Sequence, residues 1–447
     1  MARLVMAASA IYRHVEPMRK IAADLVRRGH DVTFLTGSIF QEYVEKTGAR
    51  FVPFTGSADL GSLDLAEMFP ERRTLPEGPE RLAFDVRQLF VEGIPDQHAT
   101  LQRVLAEAGE EPVVLLAEMG FAGVAPSLLG APGHRPAAVI GIGVLPLTLG
   151  DYPPSAAARG AADAAGDGVA SGAADASGDD AAGAEGRAGD GAREEVFGAT
   201  QARMVELLRE LGATETPPFI LDCSVLLADR FLQLGIEGLE HTPADAPDSL
   251  RFVGPMPFVT NKHLALPEWW DDVRSAERVV VVSQGTMTNQ DFGELLEPTL
   301  RALADLDVLV VATLGRDGTL AEVPANARVA EFIPFDRLLP HADVFVTNGG
   351  YARLHQALGH GVPLVLAGLG ETQTEVRARI ARTGAAVNLA TQRPDESEIR
   401  KAVETVLGDP SYRSNARRLQ AEYAGHDPFK AIADTIDELL AEVNSRD

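Results

Sequence analysis

A strand, a glycine pair and a helix follow one another between Asp343 and Glu375, in the sequence DVFVTNGGYARLHQALGHGVPLVLAGLGETQTE. Asn348, Gly349 and Gly350 form a turn that opens into a helical pattern. Glycines let backbone N–H groups approach a ligand closely, and a helix start presents unpaired donors and a partial positive charge. The stretch suits a diphosphate, although the same turn fits equally well as a compact connection in a parallel sheet.

A histidine stands near the end of the first predicted strand. His14 lies between an apolar run at residues 3–8 and a helical pattern at residues 17–28. Parallel sheets bind ligands at the carboxyl ends of their strands, and imidazole exchanges protons near neutral pH. Topology therefore places His14 at a ligand-binding edge, although a lone histidine there is more often a helix-entry residue than a catalyst.

The elements around these residues alternate between strands and helices. The chain has 447 residues, too many for one ordinary core, so we expect two domains of about 200 residues each. The alternation predicts an α/β fold with two Rossmann-like, doubly wound parallel sheets. Strand patterns occur at residues 3–8, 31–36, 51–54, 113–117, 138–142 and 225–227, and again at 279–283, 308–312, 343–347, 364–367 and 386–389.

One segment differs in composition from the rest of the chain. Residues 155–195 are rich in Ala, Gly and Asp and have almost no large apolar side chains. Such a segment cannot offset its ordering entropy, so it is predicted to be disordered. The helical pattern at residues 196–211 still belongs to the first domain, which makes the segment an insertion rather than a linker.

Composition excludes several classes of protein. A net charge of -25 argues against a nucleic-acid partner, which would require a basic face. The single cysteine, Cys223, excludes an intramolecular disulfide and a cysteine-rich metal site and is expected to be a small buried hydrophobe. No apolar run approaches the length of a membrane span, and the amino terminus does not resemble a signal peptide. We expect a cytoplasmic protein.

The stretch at residues 343–375 resembles the donor-binding signature of the GT-B glycosyltransferases that include antibiotic, plant natural-product and UDP-glucuronosyl enzymes. Gly349, Gly350, the G-V-P at residues 361–363 and Gln373 match that signature in place. Asn348 stands where the family usually has His, Gln356 where it has Glu, and Thr372 where it has Asp. A V-G-P element at residues 253–255 also resembles the family's domain connection.

The resemblance implies that the two domains face each other across a cleft, and it implies their boundaries. Residues 1–250 would form the acceptor-binding domain, residues 251–258 the linker and residues 259–425 the nucleotide-sugar domain. Residues 426–447 would form a helix that crosses back to the first domain. In the family the loop near the insertion borders the acceptor pocket, so the insertion is either a flap over that pocket or a neutral expansion.

The resemblance also implies the donor-binding residues. Ser283 and Thr286 would hold phosphate oxygens, together with Asn348, the two glycines and the helix that begins at Tyr351. An aromatic residue at the position of Phe332 stacks on the nucleobase, although Phe332 fits a core position equally well. The remaining predicted donor contacts are Ile333 at the base, Gln356 at the ribose, and Glu371, Thr372 and Gln373 at the sugar.

The amino-terminal domains of this family carry a G-H-x-x-P turn whose histidine is the general base, and His14 and Pro17 match it. Arg13 replaces the glycine. A carboxylate normally orients such a base, and Glu118 stands where the family has Asp after a central strand. Glu118 is either that partner or an ordinary solvated acid at a strand end.

Together these features predict an inverting hexosyltransferase that moves a sugar from a UDP- or dTDP-sugar to a hydroxyl of a small, lipophilic, natural-product-like acceptor. No Asp-x-Asp motif is placed to hold a cation, so metal independence and the absence of a cofactor are predicted. Gln356 implies either a lower affinity for ribose or a deoxyribose nucleotide, and a dTDP-deoxysugar is compatible with both Gln356 and Thr372. The alternatives are an auxiliary protein that binds nucleotide sugar without catalysis, or a UDP-sugar epimerase on the same fold. A homodimer is compatible with the sequence.

Overall fold

The computed structural model describes residues 3–62, 65–76, 78–149, 179–240, 242–257, 264–285, 289, 291–368 and 371–445. Side chains are described for these residues except 65, 66, 179–192 and 371–375. Within this part of the chain, no helix combines the length and the apolar character needed to cross a membrane.

The first domain is built on a seven-stranded sheet with the strand order β3-β2-β1-β4-β5-β6-β7. Every neighbouring pair of strands is parallel. Because the central strands are buried on both faces, their sequences are nearly continuous apolar runs. The strands are β1 Arg3–Ala7, β2 Asp31–Thr36, β3 Arg50–Pro53, β4 Val113–Glu118, β5 Ala138–Gly143, β6 Arg230–Gln233 and β7 Leu250–Phe252.

Helices cover both faces of this sheet. Along β1, Leu4 and Met6 point into one hydrophobic core and Val5 and Ala7 into another. The helices are α1 Tyr12–Arg27, α2 Gln41–Glu45, α3 Leu65–Met68, α4 Pro79–Val86, α5 Ile94–Ala108, α6 Ala125–Leu128, α7 Asp179–Glu210 and α8 Cys223–Leu226.

The second domain has a six-stranded parallel sheet with the order β10-β9-β8-β11-β12-β13. The strands are β8 Val279–Ser283, β9 Leu309–Thr313, β10 Ala327–Ala330, β11 Val344–Thr347, β12 Leu364–Leu366 and β13 Ala386–Asn388. Its helices are α9 Trp270–Ser275, α10 Leu296–Ala302, α11 Phe335–Leu338, α12 Tyr351–Gly359, α13 Glu371–Arg382, α14 Glu396–Gly408 and α15 Pro410–Ala424. The predicted α/β fold with two doubly wound parallel sheets is confirmed.

The last helix, α16 (Pro428–Asn444), packs against the first sheet. Its Ile432, Ile436 and Leu439 lie in the same hydrophobic core as Leu4 and Met6. The chain therefore leaves the first domain after β7 and returns to it at the end.

Several elements differ from the sequence predictions, which did not include β6 and β7. Helix α1 begins at Tyr12 rather than at residue 17, because the Val15 N–H closes its first turn on the Ile11 carbonyl at 3.0 Å. Residues 225–227 were predicted to be a strand, but they follow a helical turn in which the Val225 and Leu226 N–H groups both donate to the Asp222 carbonyl. Short apolar runs fit either structure.

The predicted insertion overlaps a helix. Helix α7 begins at Asp179 and therefore includes residues 179–195 of that segment. The rest of the insertion, residues 155–178, lies outside the described residues.

Candidate active site

His14 and Glu118 form a buried pair at the carboxyl edge of the first sheet. The His14 Nδ1 atom lies 2.7 Å from the Glu118 Oε1 atom, and both side chains are almost fully buried. Helix α1 carries His14 in its first turn, and β4, the neighbour of β1, carries Glu118 as its last residue. The parallel pairing of β1 with β4 therefore brings the two side chains together.

Backbone donors fix the Glu118 carboxylate. The Gly120 N–H donates to Oε1 at 2.9 Å, and the Ser9 N–H donates to Oε2 at 3.4 Å. A carboxylate held by backbone N–H groups keeps its orientation and can fix an imidazole in one tautomer. Glu118 is thus buried and hydrogen-bonded rather than a solvated strand-end acid.

The other ring nitrogen of His14 has no such partner among the residues that the structure describes. Nε2 is buried, and no described residue accepts from it or donates to it. The ring of Phe90 lies beside the imidazole, with 5.4 Å between the ring centroids. With Nδ1 donating to Glu118, a neutral His14 presents its Nε2 lone pair as a proton acceptor.

A second feature is a pocket of about 240 Å³ in the second domain, at its boundary with the first. The predicted donor residues Ser283, Phe332, Ile333 and Gln356 all line it, and Lys20 of α1 reaches it from the first domain. The Phe332 ring is 48 % exposed, so it is a pocket wall rather than a core residue. An exposed aromatic face of this kind can stack on a nucleobase.

The carbonyl oxygen of Gln356 is already engaged. Arg353, one turn earlier on α12, donates from Nη1 to the Gln356 Oε1 atom at 2.8 Å. The guanidinium carbon of Arg353 also lies 3.8 Å from the centroid of the Phe335 ring. Burial lowers the pKa of Arg353 to about 10, which leaves it charged at neutral pH. Arg353 is not among the residues predicted from the sequence, although its spacing of three residues from Gln356 on a helix is a recognisable signal.

The glycine turn lies beside this pocket. Ser283 pairs with Thr347 in the parallel register of β8 and β11, which places the ends of both strands at one edge. The Asn348 side chain donates to the Gln284 carbonyl at 2.6 Å and so ties the two strand ends together. Gly349 has a φ of 90°, a conformation that L-residues with side chains rarely adopt.

A buried arginine lies beneath the turn. Arg377 of α13 donates to the carbonyls of Asn348 and Gly368, and its side-chain carbon would contact any Cβ placed on Gly349. Burial lowers the pKa of Arg377 to about 10, so it is a cation at neutral pH. Its charge adds to the partial positive charge of the α12 amino terminus. Nothing local in the sequence indicates this contact, because 29 residues separate Arg377 from Asn348.

The structure does not place every predicted residue in the pocket. The Tyr351 side chain turns away from the glycine turn, toward Gln233 and Glu240 of the first domain. Thr286 and the side chains of Glu371, Thr372 and Gln373 lie outside the described residues. Among the described residues, no group of three or more His, Cys, Asp or Glu side chains is arranged to hold a metal ion.

The fold and these two features define a class of protein, the two-domain GT-B glycosyltransferases. Residues 297–439 match the family model described as "Erythromycin biosynthesis protein CIII-like, C-terminal domain". The chain is 42 % identical to UDP-glycosyltransferase 2 of Phaeomoniella chlamydospora, over 98 % of this chain and 96 % of the relative. It is 36 % identical to 4'-demethylrebeccamycin synthase of Lentzea aerocolonigenes, over 98 % of each chain.

Solved structures agree in fold. The calicheamicin glycosyltransferase CalG4 superposes with a TM-score of 0.68 at 20 % identity, over 98 % of both chains. The spinosyn rhamnosyltransferase SpnG complexed with thymidine diphosphate superposes with a TM-score of 0.63 at 20 % identity, over 98 % of this chain and all of that one. The chain therefore belongs to the family of UDP-glycosyltransferases and antibiotic glycosyltransferases, and the predicted resemblance is confirmed.

Proposed function

We propose that this glycosyltransferase moves a sugar from a nucleotide diphosphate sugar to a hydroxyl of a small lipophilic acceptor, with inversion at the anomeric carbon and without a metal ion. The observation that carries the proposal is the buried Nε2 of His14, which has no described partner while Glu118 holds Nδ1. The names of the relatives, which include a rebeccamycin-type synthase, support a natural-product-like acceptor.

The acceptor hydroxyl would give its proton to Nε2 of His14. The acceptor oxygen then forms a bond to the anomeric carbon from the face opposite the diphosphate. The bond between that carbon and the diphosphate oxygen breaks, and the diphosphate leaves with the electron pair. Glu118 stabilises the imidazolium that forms, because its carboxylate accepts from Nδ1–H.

The leaving diphosphate would be stabilised by fixed donors and charges of the protein. The N–H groups at the glycine turn and the amino terminus of α12 are oriented before the reaction and need no rearrangement. Ser283 lies at the end of the adjacent strand, and the buried cation of Arg377 lies below the turn. These groups support a reaction without a metal, so a chelator is expected to leave the transfer rate unchanged.

The test of the proton-transfer step compares two substitutions. His14→Ala removes the base and is expected to lower kcat by about 10²- to 10⁴-fold. Glu118→Gln leaves His14 in place but puts an amide NH₂ group where the Ser9 N–H needs an acceptor. This substitution is expected to lower kcat by about 10²-fold or more. Nucleotide binding, measured by calorimetry, should be unchanged in both variants. Unchanged turnover in His14→Ala would remove this residue from the mechanism.

The donor nucleotide is proposed to be a deoxyribonucleotide. A ribose would present two hydroxyls to the position of Gln356, whose carbonyl oxygen already accepts from Arg353. A deoxyribose presents one hydroxyl fewer and therefore loses less hydrogen bonding at this position. Titration of the protein with UDP-glucose and with dTDP sugars tests this point. Clear preference for UDP-glucose would contradict it.

A further inference from the structure

A buried polar cluster joins the two domains beside the candidate site. We call it the interdomain cluster, and it consists of Gln233, Glu240, Tyr351 and Arg379. The side chains of Glu240 and Arg379 are only 2 % and 3 % exposed. Such a pair is costly to desolvate, and replacing it with apolar residues is often neutral for stability. Its presence therefore suggests that the pair fixes the arrangement of the two domains.

Glu240 and Arg379 bind both polar groups of one peptide residue, Leu147. The Glu240 Oε2 atom accepts from Arg379 Nη1 at 2.6 Å and from the Leu147 N–H at 3.1 Å. Arg379 Nη2 donates to the Leu147 carbonyl at 2.8 Å. The other carboxylate oxygen of Glu240 accepts from the Tyr351 hydroxyl.

Gln233 adds a second attachment to the same loop. Its Nε2 atom donates to the Leu145 carbonyl at 2.8 Å and lies 3.3 Å from the Tyr351 hydroxyl. Leu145 and Leu147 belong to residues 144–149, which follow β5 directly. Ile142 in β5 pairs with Glu118, so this loop leaves the sheet beside the candidate base pair.

The cluster reaches two helices of the donor domain. Tyr351 is the first residue of α12, whose amino terminus follows the glycine turn. Arg379 lies on α13, the helix whose first turn contains the predicted sugar-binding residues Thr372 and Gln373. A single carboxylate thus contacts both donor-site helices and a loop of the acceptor domain.

We infer that Glu240 is a positioning residue for transfer, which holds α12 and α13 in a fixed position relative to the loop at residues 144–149. This inference rests on the proposed function, because it assigns the donor to the α12 amino terminus and the acceptor to the edge of the first sheet. Glu240 touches neither substrate. It fixes the distance and angle between the two, and rates of bimolecular reactions depend steeply on that alignment.

The test begins with Glu240→Gln, which keeps the size of the side chain but removes its charge. Glu240→Gln removes the ion-pair partner of Arg379 but keeps an oxygen that can accept from it, whereas deleting Arg379 would leave a buried carboxylate with neither. We expect Glu240→Gln to bind UDP or dTDP within about twofold of the wild-type affinity and to lower kcat by about tenfold or more. If Glu240 had a purely structural role, the substitution would lower stability, but it would not lower kcat while leaving the nucleotide affinity unchanged.

Hydrogen exchange gives a readout that does not depend on activity. In the wild type, saturating UDP or dTDP is expected to slow amide exchange in residues 144–149, because ordering of α12 and α13 is passed to Leu147 through Glu240. In Glu240→Gln this ligand-induced protection is expected to disappear. Wild-type protein that binds neither nucleotide would overturn the proposed function, and this inference with it.

Asp343→Asn is the control for loss of an arginine-paired carboxylate within one domain. Asp343 also accepts from an arginine, Arg413 at 2.9 Å, and from a backbone N–H, that of Val279 at 2.9 Å, but all three lie within the second domain. This variant should lose stability while keeping both kcat and the ligand-induced protection. If Glu240→Gln does not show a cooperative unfolding transition, the same measurements are made on Tyr351→Phe, which removes one hydroxyl from the cluster. Retained protection and a kcat within twofold of the control, in the cluster variant tested, would overturn the inference.

Discussion

At the scale of single residues, His14 and Glu118 show how far sequence reasoning reaches. Glu118 ends β4, and His14 lies in the first turn of α1, which follows β1. Because β1 and β4 are neighbours in the sheet, the convergence of the two side chains follows from topology. The family resemblance then supplies a role for each. The sequence alone could not show that Glu118 is buried, because that depends on backbone donors at Ser9 and Gly120.

Gln356 is the residue at which donor choice can be tested by substitution. Gln356→Glu would place a carboxylate beside Arg353, where it could accept from both hydroxyls of a ribose. We expect UDP affinity to rise roughly five- to tenfold, since charge-assisted hydrogen bonds are about twice as strong as neutral ones. Affinity for dTDP should rise less, because deoxyribose has one hydroxyl fewer. Calorimetric titration with both nucleotides measures the difference, and an equal gain for both would exclude this role of Gln356.

At the scale of elements, the strands were more predictable than the contacts between them. Continuous apolar runs such as VVVVS in β8 mark buried parallel strands without further information. The side chain of Tyr351 was less predictable. Its position after the glycine turn suggests the donor, but its hydroxyl binds Glu240, which is 111 residues away in the sequence. Contacts at that separation have no local pattern.

Helix α16 offers a prediction about packing. Ile436 is fully buried in the core of the first domain, although it lies near the end of the chain. Ile436→Ala is expected to lower the free energy of unfolding of that domain by about 2–5 kcal/mol, because it removes apolar contacts and leaves a cavity. Urea denaturation followed by circular dichroism measures the change. Asp437→Ala, at the exposed neighbouring position, is the control and should change stability little.

At the scale of the whole molecule, an ion-pair group joins α16 to the far edge of the first sheet. Glu438 accepts from Arg251 at 2.7 Å and from Arg230 at 2.7 Å. Hydrogen bonds from Arg251 and then Arg230 lower the pKa of Glu438 from its ordinary 4.5 to about 2. A carboxylate with a depressed pKa stabilises the fold above its unfolded-state pKa, and that contribution is lost as the pH falls through the folded-state pKa.

This shift predicts a specific acid dependence. The stability difference between the wild type and Glu438→Gln should be complete above about pH 4.5 and should shrink as the pH falls toward about 2. Its size should be modest, because the Glu438 side chain is 36 % exposed and solvent screens the pairs. Thermal unfolding of both proteins across this pH range measures it. A difference that stays constant with pH would exclude this role of Glu438.

The return of α16 to the first domain has a consequence for how the protein is made. Domains usually fold one after another as the chain leaves the ribosome, the amino-terminal one first. Here the core around Leu4 and Met6 is completed by Ile432, Ile436 and Leu439, which are synthesised after the whole second domain. The first domain, although it comes first in the sequence, is therefore the last to be finished, and the second domain folds while the first is still incomplete.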